Sequence, residues 1–379
     1  MNPSDTGNQD LGVLLSELRA TRDAGHDRAV AMPPAFYTSP QMLALEEERL
    51  FRGRWQCVCR IDELASPGDY IAFELAGEPL VAIRGADRVL RVLSNVCRHR
   101  ATVLLEGKGQ VRAIVCPYHA WTYATDGALR GAPLMQDSPL FDGAACRLPE
   151  IRTEVWNGFL YANLDPAAAA LAPELEDLDA MARNFAMADM TTVHIEEQRW
   201  AINWKSMVEN FMEGYHLTPT HRTTLHPITP TSGCEHFPAG PGYFGYHSRY
   251  AADFPERGPW APELTREQRR ETLMFCVAPA HVVALAPNTM TWMALRPDGP
   301  GGVLLRWGIA LYDRNADAAA VERAVSLARG YNGEDKLRLE RVQRGLAARH
   351  APRSVLAARD LEGTVWDFYR YLAGVLAPA

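Results

Sequence analysis

Several features that mark other classes of protein are missing from this chain of 379 residues. It has no basic surplus, since 39 lysines and arginines stand against 46 acidic residues and the formal net charge is −7. An acidic chain offers no basic surface to nucleic acid or to an anionic membrane, so we expect neither as a partner. No apolar run reaches the ~18 residues of a membrane-spanning helix, and the N-terminus has no basic segment followed by an apolar one. These absences predict a cytoplasmic protein.

Disulfide bonds and a bound dinucleotide are not expected either. The seven cysteines are an odd number scattered along a long chain, which favours free thiols, some of them on a metal, over a disulfide scaffold. No Gly-x-Gly-x-x-Gly motif follows a predicted strand, so we expect no NAD or flavin in a Rossmann unit. The chain contains 47% hydrophobic and 22% charged residues, a composition that is typical of a globular protein.

The order of strand-like and helix-like segments along the sequence predicts an α+β protein that divides into three parts. Residues 1–50 are predicted to form a polar N-terminal segment and a helix that begins at Ser39 and packs on the C-terminal domain. Residues 51–165 contain short alternating runs separated by turn residues, which predict a small all-β domain. Residues 166–379 mix strands with helices and predict a larger α+β domain, with an antiparallel sheet flanked by helices.

Helices and one irregular segment are predicted within the C-terminal domain. A stretch rich in proline, glycine and aromatic residues, 227–262, is predicted to be an irregular lid or wall of a pocket. Apolar residues at three- and four-residue spacing predict the helices. These helices are expected at 173–187, 203–215, 317–330, 334–348 and 360–376.

The segment 203–226 contains a candidate metal site. On its helix Glu213 and His216 are three residues apart and project from one face. His221 follows Pro219, which is expected to end or distort the helix and so return His221 to the side of His216. Two neutral imidazoles and one carboxylate bind Fe(II) on one side and leave positions open for dioxygen. The alternative is a buried amphipathic helix whose histidines satisfy ordinary hydrogen bonds.

A second pattern of metal ligands lies in the predicted all-β domain. Cys97 and His99 are followed by Cys116 and His119, which together supply four donors. A structural zinc ion suits this set. A Rieske [2Fe–2S] cluster, in which two cysteines hold one iron and two histidines the other, suits it as well. Three features favour the cluster. The ligand pairs lie on loops of a β domain, aromatic residues stand beside the second pair, and a second candidate metal site lies downstream.

Together the two patterns resemble the catalytic α subunits of Rieske non-haem iron oxygenases, over residues 36–376. The matching motifs are N-V-C-R-H-R and C-P-Y-H-A-W-T-Y for the cluster loops and N-W-K-S-M-V-E-N-F-M-E-G-Y-H-L-T-P-T-H for the iron helix. The resemblance implies that the Cys and His pairs of the β domain hold the cluster. It also implies that His216 and His221 hold a mononuclear Fe(II).

The family's third iron ligand is an aspartate late in the chain, ahead of a helix. The segment G-E-D-K-L-R-L-E-R-V-Q-R-G-L resembles that region and implies Asp335, with Glu334 as the adjacent alternative and Asp360 as a more distant one. Without the resemblance, Asp335 is interpreted more simply as a negative charge at a helix N-terminus, where it complements the helix dipole.

Glu213 departs from the commonest family pattern, which has aspartate at that position. Family members that act on trimethylammonium compounds, such as carnitine and betaine oxygenases, resemble this chain in having glutamate. The resemblance implies that Glu213 bridges the cluster histidine of one subunit to the iron histidine of the next, and hence that the protein is a homotrimer. Asn210, in the same motif, is the other predicted catalytic residue.

The activity that the resemblance implies is that of a terminal oxygenase. It would use dioxygen, and electrons from a separate NAD(P)H-dependent reductase or ferredoxin, to hydroxylate or N-demethylate a small molecule. A quaternary ammonium substrate is favoured by the glutamate and by a cage of aromatic residues from 237–260, with Trp292 and Trp307. The alternative is ring hydroxylation or O-demethylation of an aromatic acid held by Arg249 or Arg296. A zinc-binding module without enzymatic activity is the third interpretation.

Overall fold

The structure of the chain is a computed structural model that describes residues 10–378, which divide into two compact units. The smaller unit comprises residues 51–169, and the larger comprises residues 10–50 together with 170–378. The first nine residues of the predicted N-terminal segment and the last residue of the chain lie outside the described residues. No helix among residues 10–378 is both long and apolar enough to cross a bilayer.

The smaller unit is built from antiparallel strands, as its turn-rich sequence predicts. These strands are β1 (Gln56–Arg60), β2 (Asp69–Leu75), β3 (Glu78–Arg84), β4 (Leu90–Ser94), β5 (Lys108–Gln110), β6 (Ile114–Val115), β7 (Thr122–Tyr123), β8 (Leu129–Gly131), β9 (Glu150–Trp156) and β10 (Phe159–Asn163). The main sheet has the order β1-β10-β9-β4-β3-β2-β5, and a short sheet has the order β6-β7-β8.

Two apolar cores form within the smaller unit. One packs residues of the main sheet such as Val58, Leu80 and Leu160 against each other. The other includes the cysteines of both predicted ligand pairs, together with Trp121 and Tyr123, which are 3% and 0% exposed. The cysteines of the predicted ligand loops are therefore anchored in apolar surroundings.

The larger unit is organised around a single antiparallel sheet. Its strands are β11 (Thr191–Trp200), β12 (Cys234–Phe237), β13 (Tyr243–Arg249), β14 (Glu271–Val277), β15 (His281–Leu285), β16 (Thr289–Pro297) and β17 (Val303–Leu311). Their order is β11-β17-β16-β15-β14-β13-β12, and each neighbouring pair is antiparallel.

Helices flank this sheet. They are α1 (Leu11–Ala24), α2 (Ala35–Thr38), α3 (Pro40–Glu46), α4 (Glu176–Ala182), α5 (Trp204–Phe211), α6 (Leu217–Thr220), α7 (Ala318–Leu346) and α8 (Arg359–Leu376). The predicted fold class, an all-β domain plus an α+β domain with an antiparallel sheet and helices, is confirmed.

Two predicted helix boundaries are wrong. The segments 317–330 and 334–348 form one continuous helix, α7, that runs through Gly330 and Gly333. Each glycine disfavours a helix interior by about 1 kcal/mol relative to alanine, but burial of one face of the helix offsets this. The helix predicted at 173–187 is α-helical only over α4, with 3₁₀ turns at 172–175 and 183–185, and it ends where the chain adopts a left-handed conformation at Ala186.

The segment 227–262 is more regular than predicted, since it contains β12 and β13. The sequence Gly240-Pro-Gly-Tyr-Phe-Gly245, which has the spacing of a dinucleotide-binding motif, runs from the loop between these strands into β13. Here it connects antiparallel strands rather than a strand and a helix. It therefore lacks the helix N-terminus on which that motif binds a pyrophosphate.

A buried ion pair ties α3 to α5. Lys205 Nζ lies 2.6 Å from Glu46 Oε1, and the side chains are 1% and 0% exposed. Trp204 Nε1 donates a hydrogen bond to the second Glu46 oxygen at 2.8 Å. Burial raises the pKa of Glu46 and lowers that of Lys205. Each charge is thus kept in the interior by the other.

We expect Lys205→Met to lower the free energy of unfolding by about 3–5 kcal/mol, because it leaves the Glu46 carboxylate buried without its cation. Urea unfolding followed by circular dichroism measures the loss. The double variant Glu46→Leu with Lys205→Met should recover most of the stability, since neither charge of the pair is then buried without the other. A loss below about 1 kcal/mol in the single variant would show that the pair is solvated rather than buried.

Candidate metal centres

The turn that presents His216 begins where α5 ends, at Phe211. Thr364 Oγ1 donates a hydrogen bond to the Met212 carbonyl oxygen, and Gly214 N donates one to Leu361 O at 3.0 Å. Gly214 is pressed against the side chain of Cys234, where a Cβ would collide with the sulfur. These contacts with α8 and β12 draw the chain out of the helix.

The predicted break at Pro219 is therefore wrong in its position. The chain leaves the helix before Tyr215, and Pro219 lies inside the one-turn helix α6. There its missing N–H removes no hydrogen bond, because the first turn of a helix has no intrahelical acceptors for its N–H groups. His216 precedes α6 and His221 follows it, so the short turn brings the two imidazoles to one side.

His216, His221 and Asp335 converge in the larger unit. Their potential ligand atoms all lie within 4.8 Å of one another. Asp335 Oδ1 is 3.1 Å from His221 Nε2 and 3.6 Å from His216 Nε2. The two imidazole ring centroids are 5.0 Å apart. Two imidazoles and one carboxylate on one side of a point have the arrangement of a facial triad for Fe(II).

Carboxylates fix the orientation of both imidazoles. Glu213 Oε1 lies 2.6 Å from His216 Nδ1, and Glu334 Oε2 lies 2.7 Å from His221 Nδ1. An ionised carboxylate only accepts hydrogen bonds, so each Nδ1 carries the proton and each Nε2 presents its lone pair. Burial lowers the pKa of His216, but the Glu213 carboxylate outweighs this effect and the pKa lies above its usual value.

The alternative ligands take other positions. Glu334, the adjacent candidate, contacts the far side of His221 and also accepts a hydrogen bond from Thr224 Oγ1 at 2.6 Å. Asp360 accepts the backbone N–H of His236 at 3.2 Å. Asp335 itself lies in the middle of α7, so the interpretation of it as a charge at a helix N-terminus is wrong.

The donor atoms of this site suit a cation. His221 Nε2 and Asp335 Oδ1 are buried and have no hydrogen-bond partner. A buried polar atom without a partner is costly, whereas coordination to a divalent ion satisfies both atoms. His221 is 0% exposed and Asp335 is 7% exposed, so bulk water does not satisfy these two atoms. The residues present therefore fit a mononuclear metal.

The four predicted cluster donors lie on two turns of the smaller unit. The ring centroids of His99 and His119 are 4.7 Å apart, and His99 Nδ1 is buried without a hydrogen-bond partner. Cys97 and Cys116 are buried free thiols. Burial raises the pKa of Cys116, but backbone N–H groups that follow it in the turn outweigh this effect and lower the pKa. Such an environment favours the thiolate that binds iron.

Aromatic residues pack on this second site. Trp121 stacks on His99 with the ring centroids 4.9 Å apart and the planes 5° from parallel. The Tyr123 hydroxyl lies 3.3 Å from Cys97 Sγ and accepts the Arg98 N–H at 3.0 Å. Burial raises the pKa of Tyr123 well above its usual value, so the hydroxyl keeps its proton and would donate a hydrogen bond to the sulfur of a Cys97 thiolate. His119, by contrast, is exposed on the surface of the unit.

A cavity of about 500 Å³ opens beside His216, His221 and Asp335. Apolar and aromatic side chains dominate its lining, among them Phe211, Leu217, Ile228, Tyr246 and Tyr331. The lining also contains two polar side-chain amides. Asn210 Nδ2 and Asn332 Oδ1 are buried there without a hydrogen-bond partner. Both therefore remain available to a ligand.

Asn332 was missed by the sequence analysis. It lies three residues before Asp335, and thus on the same face of a helix. The pattern would have identified it if α7 had been predicted as continuous.

Four side chains proposed from the sequence as substrate contacts lie elsewhere. Trp292 and Trp307 are 0% exposed core residues of the sheet. Arg249 forms ion pairs with Glu235 and Glu271. Among the described residues, neither these three side chains nor Arg296 lines the cavity. The arginines that do line it are Arg257, Arg269 and Arg323.

Comparison with protein families assigns both units. The family described as "Ring hydroxylating alpha subunit (catalytic domain)" matches residues 186–377, and "Rieske [2Fe-2S] domain" matches residues 54–149. The second match favours the iron–sulfur cluster over structural zinc for the four Cys and His donors.

Curated relatives carry related names. The carnitine monooxygenase oxygenase subunit of Escherichia coli (strain K12) is 36% identical over 201 residues, 52% of this chain and 54% of that protein. The glycine betaine monooxygenase oxygenase subunit of Chromohalobacter salexigens is 30% identical over 273 residues, 69% of this chain and 60% of that protein. The chain thus spans about half the length of the first of these relatives.

Solved structures share the fold over nearly the whole chain. The quaternary ammonium Rieske monooxygenase CntA in complex with an inhibitor superposes with a TM-score of 0.83 at 27% identity, covering 94% of this chain and 98% of that chain. Naphthalene 1,2-dioxygenase from Rhodococcus sp. superposes with a TM-score of 0.82 at 19% identity, covering 96% and 98%. The latter likeness shows the fold alone.

Proposed function

Because the chain belongs to the family of ring-hydroxylating oxygenase α subunits, with a Rieske [2Fe–2S] domain ahead of its catalytic domain, we propose that it is a terminal oxygenase. Its reaction is the hydroxylation or oxidative N-demethylation of a small quaternary ammonium compound. The observation that carries this proposal is the convergence of His216, His221 and Asp335, with unpartnered buried donor atoms, at a largely apolar cavity.

The cofactors are a [2Fe–2S] cluster and a mononuclear Fe(II). The Cys and His pairs of the smaller unit hold the cluster, and His216, His221 and Asp335 hold the Fe(II). When bound, the cluster supplies single electrons and the Fe(II) supplies the activation of dioxygen that hydroxylates a carbon. The electrons come from a separate reductase or ferredoxin that draws on NAD(P)H.

The residues of the chain orient the reaction. Glu213 and Glu334 keep the protons on the outer nitrogens of His216 and His221, so that the inner nitrogens remain ligands. Apolar side chains of the cavity exclude water from the reacting centre. Asn210 supplies an unpartnered amide that can hold the substrate in position. A hydroxylated N-methyl group is released as formaldehyde, leaving the demethylated amine.

Aromatic side chains support a quaternary ammonium substrate. Phe211, Tyr246 and Tyr331 line the cavity with His216 and His221. A cation over such faces gains ~1–2 kcal/mol or more when it is desolvated. Related proteins named carnitine and glycine betaine monooxygenase oxygenase subunits support the same class. The second candidate is ring hydroxylation or O-demethylation of an aromatic acid, which the apolar lining also favours.

The proposed enzyme is a homotrimer in which Glu213 links neighbouring subunits. Glu213 already holds His216, and its side chain is 14% exposed. His119 is exposed and so available to another chain. The structure of a related quaternary ammonium Rieske monooxygenase is described as giving insight into inter-subunit electron transfer in that protein. Sedimentation of the purified protein as a trimer supports this assembly, and a stable monomer with full activity contradicts it.

Absorption spectroscopy with metal and sulfide analysis is the first test of the proposed function. A Rieske protein is red-brown and contains acid-labile sulfide, whereas a zinc protein is colourless. The second test is a screen of trimethylammonium compounds and aromatic acids with a surrogate reductase, following dioxygen consumption and formaldehyde. Zinc without sulfide would overturn the proposal, and consumption of aromatic acids alone would favour the second candidate.

We expect Tyr123→Phe to lower the reduction potential of the cluster, because a hydrogen bond to the Cys97 sulfur stabilises the electron-rich reduced state. A hydrogen bond stronger by ~1 kcal/mol in the reduced state corresponds to about 40 mV for one electron. Potentiometric titration followed by electron paramagnetic resonance measures the shift. Tyr118→Phe removes an exposed hydroxyl from the turn that contains His119 and should leave the potential unchanged. An unchanged potential in Tyr123→Phe would show that the hydroxyl does not act on the cluster.

A further inference from the structure

One face of α7 forms a long wall of the cavity. The residues that line it recur at three- and four-residue spacing, from Ala320 through Ala324, Leu327 and Tyr331 to Asp335. This spacing follows the helical repeat, so the lining residues form one continuous stripe. The cavity therefore extends along several turns of a single helix.

The two ends of this stripe differ in exposure. Asn332 and Asp335 are buried, and they share this end of the cavity with the buried His221. At the other end Arg323 and Leu327 are exposed. The exposed Arg257 lines the cavity as well. The metal donors thus lie at the enclosed end, and the cavity opens near the N-terminal half of α7.

The length of the cavity follows from the helix. Arg323 and Asp335 are twelve residues apart on α7, so a rise of ~1.5 Å per residue separates their Cα atoms by about 18 Å along the axis. The cavity volume of about 500 Å³ corresponds to about 17 heavy atoms at ~30 Å³ each, roughly twice the number in glycine betaine. A molecule of that small size would leave much of the cavity to water.

Positively charged side chains lie at the open end of the cavity. Arg323 and Arg257 have no ion-pair partner among the described residues, and the guanidinium carbon of Arg257 lies 5.1 Å from the ring centroid of Phe254. Apart from Asp335, Asp313 is the one acidic residue among the described residues that line the cavity. The partial positive charge at the N-terminus of α7 is offset by its cap, since the Asp317 carboxylate accepts a hydrogen bond from Ala320 N. Since the whole chain has a net charge of −7, this local surplus is not a general property of its surface.

We propose that the substrate is elongated, with the oxidised quaternary ammonium group at His216, His221 and Asp335 and an anionic group at the opening. Arg323 binds that anion, with Arg257 beside it, through charge-assisted hydrogen bonds. Subtracting about 3 Å for a contact at each end from the 18 Å along α7 leaves roughly 12 Å between the two charged groups. This inference rests on the proposed function and specifies its substrate class. The simpler interpretation is that both arginines only keep the surface soluble.

Isothermal titration calorimetry in dioxygen-free buffer tests this proposal without turnover. The probes are glycine betaine, trimethylammoniobutanoate, trimethylammoniooctanoate and trimethylammonioundecanoate, with decyltrimethylammonium as the long probe without an anion. They are titrated into the wild type, Arg323→Gln and Arg338→Gln. Arg338 is an exposed arginine of α7 outside the cavity lining, so its variant is matched in helix and in charge.

We expect the wild type to bind the undecanoate at least tenfold more tightly than glycine betaine and than decyltrimethylammonium. Arg323→Gln should weaken binding of the undecanoate about tenfold, as expected for one charge-assisted hydrogen bond, and leave glycine betaine unchanged. Arg338→Gln should behave as the wild type. Equal affinity for all chain lengths, or no effect of Arg323→Gln, would overturn the elongated substrate but not the oxygenase. Failure of every trimethylammonium probe to bind, with binding of aromatic acids, would instead overturn the quaternary ammonium function.

Discussion

Replacing Asp335 by alanine is expected to abolish mononuclear iron and turnover while leaving the cluster and its colour intact. Asp335 Oδ1 is the carboxylate oxygen nearest both inner imidazole nitrogens, at 3.1 and 3.6 Å. Two imidazoles without the carboxylate lose one of three protein ligands and the charge that balances Fe(II). The predicted cluster ligands lie in the other unit. Iron and sulfide analysis after gel filtration, with the cluster spectrum, measures both effects.

Two neighbouring carboxylates provide the controls. Glu334→Gln removes the acceptor that orients His221, so we expect iron affinity to fall about 10–100-fold but iron to bind at saturating concentration. Asp360→Ala should retain iron, because Asp360 caps the backbone of His236 away from the triad. Full iron occupancy in Asp335→Ala, together with loss of iron in Glu334→Gln, would move the ligand assignment to Glu334.

Replacing Glu213 by glutamine is expected to reduce turnover ~100-fold or more, although both metals still bind. A loss of that size corresponds to about 2.7 kcal/mol in the rate-limiting barrier. Within the chain the carboxylate accepts the His216 backbone N–H at 3.0 Å and lies 2.6 Å from His216 Nδ1. Glutamine has the same size but lacks the charge that, in the proposed trimer, would serve the imidazoles of two subunits at once. Single turnover, with the cluster reduced before substrate and dioxygen are added, measures the rate of cluster oxidation.

The variant Glu213→Asp is the matched control, because it keeps the charge and only shortens the side chain. Its loss of rate should be milder than that of Glu213→Gln. Metal analysis of both variants separates a defect in electron transfer from loss of iron. Wild-type rates of cluster oxidation in Glu213→Gln would show that Glu213 is a structural residue that orients His216 and has no part in the path between subunits.

The proximity of the proposed metal donors could be predicted from the sequence because each pair lies within a short stretch of chain. His216 and His221 are separated by one turn of helix, so almost any compact path keeps them close. The same holds for Cys97 with His99. The choice between Glu334 and Asp335 is different, because consecutive helical residues point about 100° apart and only the packing of α7 decides which faces the histidines. Family resemblance supplied that choice, and the geometry agrees with it.

Features that depend on tertiary contacts were not predictable in this way. The end of α5 is set by Thr364 and Leu361, which lie about 150 residues further along the chain. Continuity of α7 through two glycines depends on the sheet against which it packs. The arginines of the cavity were missed for the same reason, since Arg257 and Arg323 come from a loop and a helix that are distant in sequence. The local sequence shows where an arginine is, but it does not show whether a cavity lies beside that arginine.

Formaldehyde formed in a single turnover is the most direct measure of the central claim, that a metal held by His216, His221 and Asp335 oxidises a quaternary ammonium compound. The protein is reduced without dioxygen, freed of reductant and mixed with labelled dioxygen and trimethylammonium substrate. We expect the wild type to release formaldehyde in proportion to its reduced clusters, and Asp335→Ala to release none. Equal formaldehyde from both proteins, or none from the wild type while an aromatic acid is hydroxylated, would contradict the account.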